Sequence, residues 1–447
     1  MRTRWLWVAA VICGVSAASL ALPSVPTTDA WGWIVWGREL TEGELHTDVG
    51  GAPSWKPLPV AFTTLLALLG DGAPEGWLFL SRALGLAGLL LAYLVGKRLA
   101  GRSAGVVAAV ALALAGGWVR GVEHGYSEPL VLSSLLGALL AYLEGRRQLS
   151  LWLVAAASLA RPELWPLLLL MTLWLARAEA RLRAPAFTAL VAVPVLWVGV
   201  DWLGSGRFMN GSKTAAGVAR DLSGLDVLAL GLRIPPLPVL ALAAAAAVIA
   251  AVRRERVPAA LAGAVILWAG GLAAAVALGY PPTERLLLPL MAAVCVLAGV
   301  GAACLTELGS SGRARAALAG LLVAASLPFA IDRLDAAADQ VRRADERARL
   351  QLDLRYAARL TREDALGANA VALPADLSWA RGAVAWEWHL PLRNVGVLND
   401  PPPGARLFAF VPRSRRLPHA EPLVDTRGWR LLLDLRTSRA QARRGPG

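Results

Sequence analysis

The sequence predicts an α-helical, polytopic membrane protein with a small soluble α/β domain at its C-terminal end. Three observations predict it. Hydrophobic residues make up 56% of the 447-residue chain and the mean hydropathy is +0.53, more apolar than a soluble globular domain. Several apolar runs approach or exceed the roughly 20 residues that a helix needs to cross a bilayer. The basic residues fall in compact clusters at alternate ends of those runs, as the positive-inside rule requires of cytoplasmic loops.

About 11 runs read as spans: 5–22, 77–96, 103–119, 128–144, 149–160, 164–176, 185–203, 235–252, 257–278, 285–305 and 315–331. The first has a basic start and an apolar core and reads as an uncleaved helix, with the N-terminus cytoplasmic. Lys97, Arg98 and Arg102 follow the second run, Arg146 and Arg147 the fourth, and Arg177, Arg181 and Arg183 the sixth. Arg253, Arg254 and Arg256 follow the eighth, and Arg313 and Arg315 the tenth. The remaining exits are longer or acidic and face outward. Residues 149–176 allow two readings. One is a short hairpin with Arg161-Pro162-Glu163 at its outer tip, which preserves the charge pattern; the other is a single bent helix. These placements predict a multi-pass protein of the cell (plasma) membrane.

The net charge of +13 belongs to this loop pattern, and no nucleic-acid motif accompanies it. Cys13, Cys295 and Cys304 lie in apolar runs with no metal or redox spacing. No internal repeat or paired broken helix suggests a transporter. The predicted division is a transmembrane domain at 1–331, with a first outer loop at 23–76, and an extracytoplasmic domain at 332–447. The latter opens with a charged helical stretch. Short strand-like runs follow (AVALP, VGVLND, LFAFV, RLLLDL), broken by the turn sequence Asn399–Gly404. The final RAQARRGPG reads as a disordered tail.

The first outer loop is the leading place for chemistry. A connector could be a handful of residues; Thr27–Pro59 exceeds thirty and holds Asp29, Glu39, Glu42, Glu44, Asp48, His46, Lys56 and four tryptophans. Tryptophan favours the membrane interface, which would put Asp29 near headgroup level, where desolvation raises a carboxylate toward the range of a general base. Asp29 also reads as the cap of a short interfacial helix over 31–40. Lys56, one of three lysines, precedes Pro57 and Pro59 and is held extended; it suits a phosphate or snorkels at a helix start.

Other outward connections add candidates. Ser127-Glu128-Pro129 is a good helix start. Glu123 and His124, beside it, are less explained by capping and read either as polar loop residues or as substrate contacts. Arg161 and Glu163 are charges in an apolar setting, a functional-site hypothesis by default. Arg285 reads either as a phosphate ligand or as a headgroup anchor. The sequon Asn210-Gly211-Ser212 reads as chance.

Taken together, an acid just past the first helix, a Lys56-Pro57-Leu58-Pro59 stretch before the second, Ser127-Glu128-Pro129-Leu130, Ala160-Arg161-Pro162-Glu163 and Arg285-Leu-Leu-Leu-Pro289 resemble the GT-C superfamily of membrane glycosyltransferases. The likeness is to the protein O-mannosyltransferase and aminoarabinose transferase branch, and to actinobacterial members. It implies an inverting transfer of a sugar from a polyprenyl-phosphate carrier to a lipid, glycan or protein acceptor on the outer side. It implies Asp29 as base, Lys56 and Arg285 on the carrier phosphate, and Asp48, Glu123, His124, Glu128, Arg161 and Glu163 lining the substrate. The branch often pairs two acids at the first site, whereas Ala30 follows Asp29. A second acid would be Asp48 or Glu123. With no ligand cluster, no metal or other cofactor is expected, though a divalent ion stays compatible with the loop acids. A non-catalytic scaffold of the same fold, or a transporter or flippase for a lipid-linked substrate, are the alternatives.

Overall fold

The computed structural model describes residues 2–49, 53–210, 223–280, 284–360, 371–373, 375–397, 408–412, 420–425 and 429–434. The tail, most of the sequon and the 399–404 turn lie outside the described residues. The chain divides into two compact units. One comprises Met1–Ser19, Phe79–Leu196 and Ala215–Val341; the other Leu20–Leu78, Trp197–Thr214 and Arg342–Gly447.

The helices of the first unit fall close to the predicted apolar runs. Five described helical stretches in the chain are long and apolar enough to cross a bilayer, or six if Gly224–Arg233 and Leu237–Arg253, bent by 101°, make one span. Thr3–Ser19, Pro57–Ala67 and Glu128–Leu143 are apolar but shorter. The second and third runs form one helix, Ala73–Ala113, interrupted at Ala100–Gly101, where Gly101 takes φ 86°, a conformation that glycine tolerates without steric cost. The helix Leu288–Glu307 is the most enclosed of the span candidates. Its Gly299 and Gly301 let neighbouring backbones approach: a Cβ there would lie 2.2 Å from the Ala104 carbonyl oxygen and 2.0 Å from that of Leu242. Close backbone contact through small residues is how helices associate where lipid is as apolar as leucine. Around this helix Leu112, Trp118, Leu132, Leu136, Met291 and Cys295 form the core.

Residues 147–178 fold as a hairpin. Helix Arg147–Ala160 ends at Arg161, which is extended (φ −144°, ψ 107°) ahead of Pro162, and Trp165–Ala178 returns. Arg147, at the start of the first helix, bonds Glu179, just past the end of the second, at 2.6 Å, and its guanidinium lies 5.1 Å from the Trp174 ring centre. A single bent helix would hold those residues far apart. Arg161 and Glu163, on either side of Pro162, are therefore at the opposite end from the basic cluster around 147 and 181.

The second unit assembles three separated stretches of chain. Helix Thr28–Thr41 runs through its centre, with residues 30–39 buried on every side. Trp31, Trp33 and Trp36 are among the largest fully buried side chains, and Trp55 is buried with them. This corrects the expectation of an interfacial belt: the rings pack in protein. Trp33 meets Trp77 edge to face at 5.7 Å and Trp36 meets Trp55 at 5.8 Å. Trp33 Nε1 donates to the Ser54 carbonyl and Trp36 Nε1 to that of His46, so the rings bind the loop to the helix. A tryptophan can fill a core when its N–H finds such a partner.

C-terminal residues complete this unit. The boundary expected at 331/332 lies within one continuous helix, Gly312–Leu360. A five-stranded sheet follows: β1 (Val371–Leu373), β2 (Val395–Val397), β3 (Phe408–Pro412), β4 (Ala420–Asp425) and β5 (Trp429–Asp434), in the order β2-β1-β3-β5-β4. β1 pairs parallel with β2 and β3, while β5 pairs antiparallel with β3 and β4. β4 was not foreseen, since Pro422 interrupts its sequence; it sits at the sheet edge with an irregularity at Pro422/Val424, where proline is tolerated.

Candidate functional site

In the second unit, Asp29 sits in the first turn of Thr28–Thr41 and is half-buried. It does not cap the helix. Thr27 does, accepting from the Ala30 amide at 3.3 Å. Asp29 instead lies in the first turn, near the positive end of the helix dipole. Lys56 is extended as predicted (φ −145°, ψ 109°) and precedes helix Pro57–Ala67. It does not snorkel: it is buried, with Nζ 5.1 Å from the Trp33 ring centre, a cation–π position. Asp48 Oδ2 is 3.8 Å from Arg393, and its Oδ1 is buried with no hydrogen-bond partner among the described residues.

Residues that sequence reasoning passed over hold this unit together. Arg38 donates to the carbonyls of Ala385 (3.3 Å), Trp386 (3.2 Å) and Leu390 (2.8 Å), and lies over the Trp386 ring. These carbonyls include the unsatisfied end of helix Arg381–Glu387. Glu39 accepts from the amides of His46 and Leu392; burial pushes its carboxyl above the usual range, opposed by those bonds and the His46 ring. Asp201 accepts from Thr47 Oγ1 at 2.9 Å, and Asn210 donates to the Thr47 carbonyl. Arg355 bonds Glu387 at 2.5 Å and Glu75 at 3.1 Å, and Arg359 bonds Glu387 at 2.6 Å. One local signal was available: Arg38 and Glu39 are adjacent charges ending a run of tryptophans.

In the first unit, three predicted residues converge. Glu128 opens helix Glu128–Leu143 with Pro129 behind it, as expected, but the Ser127 side chain makes no capping bond. Glu128 accepts from both Arg161 and Arg285, the latter Nε at 2.9 Å. The Glu128 and Arg161 side chains are 2% and 7% exposed, while Arg285 is 30% exposed. Arg161 therefore closes the back of the cluster and Arg285 presents its front. Arg285 lies 4.2 Å from the Tyr126 ring centre, and the Arg285 carbonyl accepts from Arg161 at 3.4 Å. Glu128 is thus enclosed between its two arginine partners.

Glu163 is reached from the side: Tyr280 Oη donates to its Oε1 at 2.7 Å. Glu123 belongs to a separate pair. Burial pushes its carboxyl up to about 7, against the pull of the Arg82 charge. His124 is buried just after the short helix Trp118–Glu123.

An apolar groove of about 450 Å³ runs along this unit. Its lining includes Leu164, next to Glu163, and Pro289. It also includes Trp268, whose Nε1 donates to the Leu286 carbonyl beside Arg285. The lining of this groove thus comes within a few residues in sequence of Glu163 and Arg285, while Glu128, Arg161 and Arg285 themselves do not line it. Among the described residues no group of three His, Cys, Asp or Glu side chains could hold a metal.

No protein-family model and no curated protein sequence matches the chain. Solved structures do. ArnT, the aminoarabinose transferase of Cupriavidus metallidurans, aligns over 98% of this chain and 99% of its own. Its undecaprenyl phosphate-bound structure gives a TM-score of 0.55 at 14% identity, and its apo structure 0.56 at 15%. The Archaeoglobus fulgidus oligosaccharyltransferase AglB, in complex with an inhibitory peptide and a dolichol-phosphate, aligns over 88% of this chain and 64% of its own, with a TM-score of 0.54 at 12% identity. Both are GT-C enzymes; the chain is a multi-helix membrane protein with the fold of the GT-C membrane glycosyltransferases.

Proposed function

We propose that the protein is a glycosyltransferase that moves a sugar from a polyprenyl-phosphate carrier to an acceptor on the outer side of the membrane. The observation that carries this reading is the Arg161–Glu128–Arg285 cluster, in the same unit as an apolar groove whose Trp268 bonds the Leu286 carbonyl beside Arg285. A phosphate head with a hydrocarbon tail is the ligand class that needs both parts, and the fold supports the same class. Two guanidiniums and one carboxylate leave one net positive charge, suited to a phosphodiester. Arg285, partly exposed and 4.2 Å from the Tyr126 ring centre, is the group that meets the phosphate, in the fork geometry that favours arginine.

In the transfer, an acceptor hydroxyl attacks the anomeric carbon as the glycosyl–phosphate bond breaks, and the electron pair leaves on phosphate. Cations offset the charge that develops there. A base takes the acceptor proton; the family resemblance assigns that role to Asp29 and a carrier-phosphate contact to Lys56, and implies inversion. The test uses purified full-length protein and undecaprenyl phosphates carrying mannose, arabinose, glucose or galactose. Turnover of at least one carrier is expected. Asp29→Asn should lose it by at least about a hundredfold, the usual worth of a general base, while still binding carrier. Normal turnover in both Asp29→Asn and Lys56→Ala would remove these residues from the mechanism.

A further inference from the structure

We propose that Glu163 and Tyr280, with Arg161 Nε, form a subsite for a hydroxyl group of the sugar on the donor. The proposal rests on the lipid-linked sugar reading above and names the part of the donor that this end of the first unit recognises.

Glu163 is incompletely satisfied. Its Oε1 receives the Tyr280 hydroxyl, but Oε2 is buried and has no hydrogen-bond partner among the described residues. Two residues away, Arg161 Nε is in the same condition. Arg161 does not neutralise Glu163, because its Nη2 is engaged by Glu128 and the Arg285 carbonyl. A buried polar atom left unpaired is costly, more so when charged, and in native proteins such atoms call for an explanation. A ligand supplies one.

The two atoms specify its chemistry. Oε2 requires a donor and Nε requires an acceptor. A phosphate oxygen can only accept, and a carboxylate repels it. An ammonium can only donate. A hydroxyl does both, so a neutral polyol such as a sugar ring fits this end, while the phosphate belongs with Arg285. Tyr280 supports the arrangement. Its ring packs against the hydrophobic core of the unit, and burial, then the Glu163 charge, pushes its phenol well above the usual range, so it stays a donor and holds the carboxylate in place. Pro162 between Arg161 and Glu163 keeps the Arg161 backbone extended.

The experiment measures binding to detergent-purified full-length protein of free undecaprenyl phosphate, of the four glycosylated carriers, and of monodeoxy versions of the carrier that binds best. Wild type should bind one glycosylated carrier at least tenfold more tightly than free undecaprenyl phosphate, and one monodeoxy version should lose that gain. Glu163→Gln and Tyr280→Phe should each weaken the glycosylated carrier by roughly 10- to 100-fold, the worth of a buried hydrogen bond to a charged group. Their affinity for the free phosphate should stay within twofold, which also shows that they are folded. Variants that bind every carrier as wild type does, or lose free and glycosylated carriers equally, overturn the subsite. A wild-type protein that binds undecaprenyl phosphate but gains nothing from any sugar also overturns it. One that binds no carrier at all overturns the glycosyltransferase reading itself.

Discussion

Replacing Glu128 by glutamine tests the electrostatic logic of the cluster. The carboxylate is 2% exposed and bonds two guanidiniums, one 7% and one 30% exposed. Glutamine keeps the shape but removes the charge. Its carbonyl can serve one arginine; its amide then offers donors to the other, which has only donors of its own. Removing one partner from a buried ion pair costs about 3–5 kcal/mol, because the remaining charge is left buried. Arg285 can turn toward water and recover part of this, whereas Arg161 cannot. The expected loss is therefore about 3 kcal/mol, on the order of a hundredfold in the unfolding equilibrium. Equilibrium unfolding in detergent, read by tryptophan fluorescence, measures it. The double variant Glu128→Gln, Arg161→Gln should recover to within about 1 kcal/mol of wild type, since it leaves no uncompensated buried charge. Arg285→Gln alone should cost less than Arg161→Gln alone. An unchanged stability in Glu128→Gln, or the reverse order of the two arginines, would refute the reasoning.

Two further substitutions report on other parts of the fold. A Cβ at residue 382 would lie 2.3 Å from Trp31 Cβ, so Gly382→Ala should destabilise by about 1–3 kcal/mol through overpacking and shift the tryptophan emission; wild-type melting would argue against this contact. Glu123 has its carboxyl raised from 4.5 to about 7, first by burial. Its contribution to stability is fully present below pH 4.5 and lost as pH rises through 7. The 2.5-unit difference amounts to about 3.4 kcal/mol at most, reduced to about 1–2 kcal/mol because the group is partly solvated. Glu123→Gln should thus stabilise the protein at pH 8 and leave it unchanged near pH 4.5. Equal effects at both values would contradict the burial of this carboxylate.

The sequence by itself determined the helical membrane class and where most helices run, because apolar length and the placement of glycine, proline and arginine are local properties. It placed the Arg161-Pro162-Glu163 tip, since proline breaks a helix wherever it falls after one, and it marked Lys56 as extended ahead of Pro57. It put Arg285 at the start of a late helix, either as a phosphate ligand or as a headgroup anchor. Four of the five strands were legible as apolar runs; β4 was hidden by Pro422.

Tertiary structure decided how those pieces serve one another. The tryptophans of 31–36 read as an interface belt; only the loop folded over them makes them core. Thr27, not Asp29, caps their helix, a choice made by side-chain geometry between two capable residues. Arg38 finds its carbonyls near residue 385, and Tyr280 finds Glu163 across 117 positions. Glu128 looks like an ordinary helix-start acid until Arg161 and Arg285 are brought to it. Such partnerships depend on burial, which sets both the strength of a charge pair and the cost of an unpaired atom, and burial is a property of the folded chain rather than of any stretch of it.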